Sequence, residues 1–220
     1  MELSQAIPIV VLSYLIGSIP TAYLIGRMRG INIFEVGSGN MGATNAARAL
    51  GKGWGAVVLF LDAVKGIIAI YLARFIADPQ QELFLAENQA RWTATVLSAI
   101  FVVLGHNWSL FVTVITGELR GGKGAATTFG TFITMAPPTM ILALSIMGGL
   151  IIARTRYVSL GALSMAAAGF VWMLVLVFQG GIPGLYTFYL VTVGIMFVWR
   201  FRENIQRLLT GTERRFGESA

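Results

Sequence analysis

The sequence predicts an all-α polytopic membrane protein, a bundle of about seven transmembrane helices forming one domain over residues 1–220. Of the 220 residues, 56% are hydrophobic and only 12% are charged, and the mean hydropathy of +0.75 is far above that of a soluble globule. Several apolar runs approach the roughly 20 residues that a helix needs to cross a bilayer. Because no long polar linker divides the chain, we expect a single bundle rather than two domains.

The composition also excludes several kinds of covalent and catalytic site. The chain has no cysteine, which excludes disulfides, thiolate metal sites and cysteine nucleophiles. The N-terminus, MELSQ, lacks a basic segment before a long apolar run, so we expect a retained first span rather than a cleaved signal peptide. The net charge of +6 is interpreted as membrane topology and not as nucleic-acid binding.

Seven apolar segments are expected to form the helices, at residues 7–25, 54–76, 92–115, 125–136, 139–153, 158–178 and 183–199. Proline and glycine mark the joints, and Pro137-Pro138 separates the two shortest segments. Those two segments also fit a re-entrant hairpin, which gives five crossings in place of seven. Both arrangements leave the same connections on each side of the membrane.

The basic residues indicate the orientation of the bundle. Thirteen of the sixteen Lys and Arg residues follow the first, third, fifth and seventh segments. The alternate connections hold Asp78, Glu82 and Glu87 against Arg91 alone. The positive-inside rule therefore places the N-terminus outside and the C-terminus in the cytoplasm. Three polar segments then share the cytoplasmic face, at residues 31–52, 117–124 and 199–215.

The motif VGSGNMGATN follows the first span and is rich in groups that bind anions. With the residues just after it, it contains Ser38, Asn40, Thr44, Asn45 and Arg48. Glycines let the backbone approach a ligand closely, amides and hydroxyls donate hydrogen bonds, and the arginine fork suits phosphate. We expect a helix to start near Thr44, which adds backbone N–H groups for an anion. A flexible loop joining two helices is the alternative.

The motif LRGGKGAATTFG nearly matches a phosphate-binding P-loop. The residue after Lys123 is Gly124, so the hydroxyl that holds magnesium is missing, and a membrane helix rather than a parallel strand precedes the motif. A nucleotide site is therefore rejected. The amides of Gly121, Gly122 and Gly124, together with Lys123, still suit a phosphate or a developing oxyanion. A turn with one anchoring lysine is the alternative.

His106, the only histidine, lies beside Asn107 within an apolar span. Polar groups at such depth usually face the bundle interior, and both a satisfied core histidine and a catalyst remain open. The His-x4-Asp dyad of soluble acyltransferases is absent, because the last position is Phe111. Asp62 and Lys65 stand three residues apart in the second span, and we expect them to form an ion pair that positions this helix. A role in orienting the site is the alternative.

Residues 201–218 form a basic segment with an apolar face. We expect an interfacial helix attracted to anionic lipid, with Arg207, Arg214 and Arg215 in that role. Asn204 lies nearer the last span and is a further site candidate.

Five motifs together resemble the bacterial glycerol-3-phosphate acyltransferases that use acyl phosphate, the PlsY family. They are GSGNMGATNAARALG, DAVKG, GHNW, GGKGAAT and RENIQRLLTGTE, in order over most of the chain. The resemblance implies seven transmembrane helices in the bacterial inner (plasma) membrane with cytoplasmic motifs. It also implies transfer of a fatty acyl group from acyl phosphate to the 1-hydroxyl of glycerol 3-phosphate, giving lysophosphatidic acid and phosphate in the first acylation of phospholipid synthesis.

The expected partners are acyl phosphate, glycerol 3-phosphate and membrane lipid, with no nucleic acid. No cofactor or metal is expected, because no cluster of carboxylates or histidines suits one. The expected catalytic residues are Ser38, His106 and Lys123. The expected substrate-binding residues are Asn40, Thr44, Asn45, Arg48, Gly121, Gly122, Gly124 and Asn204.

Within this set, Ser38, Asn40, Lys123 and the glycine amides are assigned to phosphate and oxyanion contacts. Thr44, Asn45 and Arg48 are assigned to glycerol 3-phosphate. His106 is expected to hydrogen-bond a substrate hydroxyl or phosphate, and either it or the substrate's own phosphate accepts the proton. Direct attack is preferred to an acyl-serine intermediate. A transporter or exchanger of a phosphorylated solute is the alternative function.

Overall fold

The computed structural model describes residues 1–80 and 88–217, and over these ranges it is helical without strands. The helices are α1 (Leu3–Ser18), α2 (Thr21–Met28), α3 (Ala43–Leu50), α4 (Lys52–Ala77), α5 (Gln89–Asn107), α6 (Leu110–Thr116), α7 (Ala125–Met135), α8 (Pro138–Thr155), α9 (Val158–Phe178) and α10 (Tyr186–Leu209). The prediction of an all-α protein is confirmed. Glu82 and Glu87, part of the predicted charge pattern, lie outside the described residues.

Five stretches within the described ranges are long and apolar enough to cross a membrane: Leu3–Met28, Lys52–Ala77, Gln89–Thr116, Pro138–Thr155 and Val158–Phe178. Helix α7 has 11 residues and extends over roughly 16 Å, about half of the hydrocarbon core. Helix α10 has 24 residues, but its second half carries Arg200, Arg202, Glu203 and Arg207. The seven crossings and the orientation of the termini therefore stay predictions.

Two predicted spans are each divided into two helices. The first breaks at Ile19 and Pro20, because proline lacks an N–H and pushes the preceding residue out of helical geometry. The third breaks at Trp108 and Ser109, where the Ser109 side chain caps α6 by accepting a hydrogen bond from the Val112 amide at 3.2 Å. Hydropathy did not reveal either break, since apolar residues continue on both sides.

The two breaks lie against each other. Ser109 Oγ donates to the Ser18 carbonyl at 2.5 Å, and Ser18 Oγ donates to the Gly105 carbonyl at 3.4 Å. Backbone groups freed within a membrane need such partners, because lipid offers none. The pair of breaks therefore fixes the ends of α1 and α5 relative to each other.

Small residues let the central helices approach closely. A Cβ added to Gly17 of α1 would overlap the Val102 carbonyl of α5, and one added to Gly130 of α7 would overlap the Ala63 carbonyl of α4. Such contacts are a common means of packing membrane helices. Helix α8 lies at the periphery, where Gly148 packs against Met165 of α9. This arrangement leaves an apolar groove between α7, α8 and α9.

Candidate active site

One cavity of about 810 Å³ brings together most of the predicted site residues. Nine of the eleven line it, namely Ser38, Asn40, Thr44, Asn45, Arg48, His106, Lys123, Gly124 and Asn204. Gly121 lines a smaller adjacent pocket of about 510 Å³, which shares Ser38 and Asn40 with the large cavity. Gly122 lines neither of the two, but it contacts the His106 ring.

Asn45 holds the loop that carries Ser38. Its side-chain oxygen accepts a hydrogen bond from the Ser38 amide at 2.9 Å, and its Nδ2 donates to the Ile33 carbonyl at 3.1 Å. The loop turns at Gly37 and Gly39, both with positive φ. The oxygen and the nitrogen of the buried Asn45 side chain both form hydrogen bonds with the backbone, so this residue holds the shape of the loop. A contact between Asn45 and glycerol 3-phosphate stays a prediction.

Two helix N-termini open into the cavity. Helix α3 starts at Ala43, one residue from the predicted start, and its N-cap, Gly42, provides no side-chain cap. Helix α7 begins after Gly124, which has a φ of 80° and also provides no cap. Residues from both helix starts line the cavity. Uncapped N-termini present backbone N–H groups and a partial positive charge, which favour bound anions.

Arg200 fixes the backbone of the second glycine motif. Its guanidinium donates to the Gly122 carbonyl at 2.7 and 2.9 Å and to the Gly121 carbonyl at 3.0 Å. The Gly122 amide in turn donates to the His106 carbonyl at 2.8 Å. The sequence did not indicate Arg200 as a site residue, because a contact from a side chain to a distant backbone leaves no pattern in residue spacing.

A hydrogen-bonded network connects Lys123 to the C-terminal segment. Lys123 Nζ donates to Asn204 Oδ1, and Asn204 Nδ2 donates to Glu213 Oε1 at 2.7 Å. The same carboxylate accepts from Ser159 Oγ at 2.8 Å and from Arg207 Nε at 2.8 Å. Asn204 is therefore part of the cavity wall, and Glu213, which the sequence did not indicate as a site residue, connects it to Ser159 and Arg207.

Arg207 and Arg214, which were predicted to face anionic lipid, both line the cavity, and their lipid-facing role stays a prediction. The chain reverses after α10 at Gly211, whose φ is 69°, and the Thr212 amide donates to the Arg207 carbonyl at 2.8 Å. This reversal brings Glu213 back onto the helix. Arg215 instead lies over the Tyr157 ring, at 5.6 Å from its centroid.

Burial and neighbouring charges shift two ionisable groups in this network. Burial, aided by the nearby Arg207 charge, lowers the pKa of Lys123 from 10.5 to about 8. Burial alone would raise the pKa of Glu213, but hydrogen bonds from Arg207, Ser159 and Asn204 outweigh it, and the net pKa is lowered. Glu213 thus stays ionised and can hold its three donors in place.

A buried cluster lies next to His106 at the back of the cavity. Asp62 Oδ1 accepts from Lys65 Nζ and from Thr21 Oγ1, both at 2.9 Å, which confirms the predicted Asp62–Lys65 ion pair. The same oxygen lies 3.8 Å from His106 Nδ1. His106 and Asp62 are both nearly fully buried, yet both border the cavity. Their proximity across α4 and α5 was not predicted.

The other end of the cavity is apolar. It runs between α7, α8 and α9, and its lining includes Phe129, Phe132, Ile133, Leu144, Ile152, Ala162, Met165 and Ala166. The cavity therefore joins a cationic, amide-rich end to a hydrocarbon-lined groove. In the described part of the chain, no three His, Cys, Asp or Glu residues group closely enough to hold a metal ion.

Comparison with known proteins decides the family. A family model described as glycerol-3-phosphate acyltransferase matches residues 7–211. The chain belongs to this family. A glycerol-3-phosphate acyltransferase of Thermus thermophilus is 40% identical over 218 residues, covering 99% of this chain and 98% of that protein. Glycerol-3-phosphate acyltransferase 2 of Moorella thermoacetica is 40% identical over 209 residues, covering 94% and 96%.

Solved structures agree with this assignment. The crystal structure of PlsY (YgiH), an integral membrane glycerol 3-phosphate acyltransferase, in its glycerol 3-phosphate form has a TM-score of 0.79 at 35% identity, with 96% of each chain covered. Its lysophosphatidic acid form has a TM-score of 0.77 at the same identity, covering 96% of this chain and 95% of that one. The resemblance to the PlsY family is thus confirmed.

Proposed function

We propose that this protein transfers a fatty acyl group from acyl phosphate to the 1-hydroxyl of glycerol 3-phosphate, giving lysophosphatidic acid and phosphate. The observation that carries the proposal is the single cavity whose cationic end continues into an apolar groove. Family membership supports acyl transfer to glycerol 3-phosphate, since the related structure was obtained in glycerol 3-phosphate and lysophosphatidic acid forms. The acyl phosphate donor is supported by the resemblance of the five sequence motifs to the PlsY family.

The polar end suits two phosphate groups. Arg48, Lys123 and Arg207 border it, and the starts of α3 and α7 add backbone N–H groups. Glycerol 3-phosphate and acyl phosphate are both anions, so bringing them together costs electrostatic repulsion that these groups offset. We assign Arg48 and Thr44, one turn apart on α3, to glycerol 3-phosphate, and Lys123 with Ser38 and Asn40 to the donor phosphate.

The proposed reaction needs no covalent bond between the protein and the acyl group. The substrate hydroxyl oxygen attacks the acyl carbonyl carbon, a new ester bond forms, and the carbonyl oxygen becomes an oxyanion. Collapse of that intermediate breaks the bond to phosphate, and the hydroxyl proton ends on the departing phosphate. Holding the two reactants in line supplies several kcal/mol of barrier reduction, and N–H groups near the oxyanion add to it.

We propose direct transfer without an acyl-enzyme. Acyl phosphate is a mixed anhydride with a good leaving group, so a serine intermediate offers little advantage. Incubation of the protein with acyl phosphate alone, followed by acid quenching and intact-mass measurement, tests this point. Unmodified protein is the expected result, and a stable acyl adduct on Ser38 would contradict it.

The donor is tested with purified protein and labelled glycerol 3-phosphate. Palmitoyl phosphate should support lysophosphatidic acid formation, while palmitoyl-CoA and palmitoyl acyl carrier protein should not. Equal or greater product with either thioester would contradict the proposed donor. Proteoliposomes provide the control for the alternative of a transporter, because transport moves label inward without making lysophosphatidic acid.

We also propose that the cavity faces the cytoplasm of the bacterial inner membrane. The thirteen basic residues of the predicted inner connections support this orientation. Because the chain has no cysteine, single substitutions report topology cleanly. In intact spheroplasts, a membrane-impermeant maleimide should label Gln80→Cys but should label Met28→Cys only after lysis. The reverse pattern would contradict the orientation.

A further inference from the structure

The ammonium group of Lys123 lies over the face of an aromatic ring. Its Nζ is 5.6 Å from the centroid of the Phe201 ring, and both residues line the cavity. Within the part of the chain that the structure describes, this is the one contact between a cation and a ring whose two partners both border the cavity. The face of an aromatic ring carries negative partial charge and attracts a cation within about 6 Å of its centroid.

Helix α10 presents two groups to this lysine. Phe201 and Asn204 stand three residues apart and therefore share one face of the helix. The Asn204 side-chain oxygen accepts a hydrogen bond from Lys123 Nζ, and the Phe201 ring provides a second contact to the same ammonium group. Because the lysine side chain is a flexible four-carbon stem, two contacts from one rigid helix limit where its charge can lie.

The Phe201 ring is itself held by neighbouring rings. It stacks on the Phe197 ring with 4.5 Å between centroids and 9° between planes, and Phe170 packs edge-on against Phe197 at 6.4 Å. The Phe201 residue is only 4% exposed, and Lys123 is partly buried. Attraction between a ring and a cation is stronger in such a partly desolvated place than at an exposed site.

We infer that Phe201 is a positioning residue for Lys123, because the face of its ring holds the ammonium group where it contacts the donor phosphate. This inference rests on the proposed function, which assigns Lys123 to that phosphate. The alternative is a packing role alone, in which Phe201 only fills space in the apolar cluster with Phe197 and Ala166. Packing depends on the volume of the ring, whereas attraction of a cation depends on the charge over its face.

Fluorinated phenylalanines at position 201 separate the two roles. Fluorine draws electron density from the face of the ring and changes its size little, so mono-, di- and trifluorophenylalanine weaken the attraction in steps. We expect kcat/KM for palmitoyl phosphate to fall with each step, by roughly 2- to 30-fold with three fluorines. A weaker attraction for the charged form also lowers the pKa of Lys123 further below its ordinary value. The alkaline decline of kcat/KM should therefore move to lower pH, and that pH does not depend on how much of a variant folds.

Phe170 is the matched control. It belongs to the same group of rings but does not border the cavity, so the same fluorinated series there should leave the pH of the decline unchanged. The charged groups that influence Lys123 are the same in both series, namely Arg200, Glu203, Arg207 and Glu213. An unchanged pH of the decline in the series at position 201, or an equal shift in the series at position 170, overturns the inference. A wild type that makes no lysophosphatidic acid from palmitoyl phosphate instead overturns the proposed function itself.

Discussion

Asp62 of α4 faces His106 of α5 across their interface, with 3.8 Å between Oδ1 and Nδ1. The same carboxylate forms a 2.9 Å ion pair with Lys65, whose Nζ also donates to the Ile19 carbonyl at 3.3 Å. One buried aspartate thus joins the break between α1 and α2 to the histidine beside the second glycine motif. The 3.8 Å between Asp62 and His106 is longer than a hydrogen bond, so we expect Asp62 to influence His106 through its charge rather than through a direct contact.

The variant Asp62→Asn is expected to lower the free energy of unfolding by about 3 to 5 kcal/mol, because it leaves the buried Lys65 charge without its partner. Thermal unfolding in detergent measures this loss. Asp62→Asn combined with Lys65→Met removes both charges and should recover most of the stability while acyl transfer stays reduced. A single variant as stable as the wild type would show that the pair contributes little.

Arg200 is expected to act through the backbone of Gly121 and Gly122. Arg200→Lys keeps the charge but loses the fork that donates to both carbonyls, so kcat/KM should fall by roughly 10- to 100-fold. Arg202→Lys is the matched control, because Arg202 on the same helix is exposed and lies over Trp199. Initial rates at varied glycerol 3-phosphate measure both. Equal rates for the two variants would remove Arg200 from its assigned role.

Gly122 is expected to tolerate no side chain. A Cβ there would overlap the buried His106 ring, so Gly122→Ala should displace the loop and lower kcat/KM by at least about tenfold. Gly53→Ala serves for comparison, since a Cβ at Gly53 meets nothing within 4 Å. Steady-state kinetics measures both variants. Wild-type activity in Gly122→Ala would mean that the ring and the loop move apart without consequence.

The lowered pKa of Lys123 predicts an alkaline limit to activity. Lys123 is mostly protonated at pH 7 and loses its charge as the pH rises through about 8, well below its ordinary value of 10.5. The kcat/KM profile, which reports the free enzyme, should therefore decline above about pH 8. A bound anion favours the charged lysine, so the decline in kcat should lie at higher pH.

Lys123→Arg provides the control for this assignment. Its guanidinium stays protonated up to about pH 12, so the residual kcat/KM should lose the decline near pH 8. If kcat/KM of this variant still declines above about pH 8, another group causes the decline. Glu213 does not interfere, because its pKa is lowered and it stays ionised throughout this range.

Much of the site was predictable because polar residues are rare in a membrane protein. Ser38, Arg48 and Lys123 lie in separate segments, yet the positive-inside pattern put those segments on one face, and the structure brings them to one cavity. The breaks at Pro20 and Ser109 were not predictable from hydropathy, because hydropathy averages over windows longer than a break. Contacts between helices could not be predicted from the sequence either, since residue spacing reveals side-chain partners only within one helix.

The central claim is that separate loops form one anion site for acyl transfer. The most direct test is lysophosphatidic acid formation by purified Arg48→Ala and Lys123→Ala, with Arg154→Ala, an exposed arginine outside the cavity, as the control. Loss of one such group commonly costs about 100-fold or more in rate. We predict losses of that size in both site variants, with normal insertion and folding, and a control at the wild-type rate. Wild-type rates in Arg48→Ala and Lys123→Ala would contradict the claim.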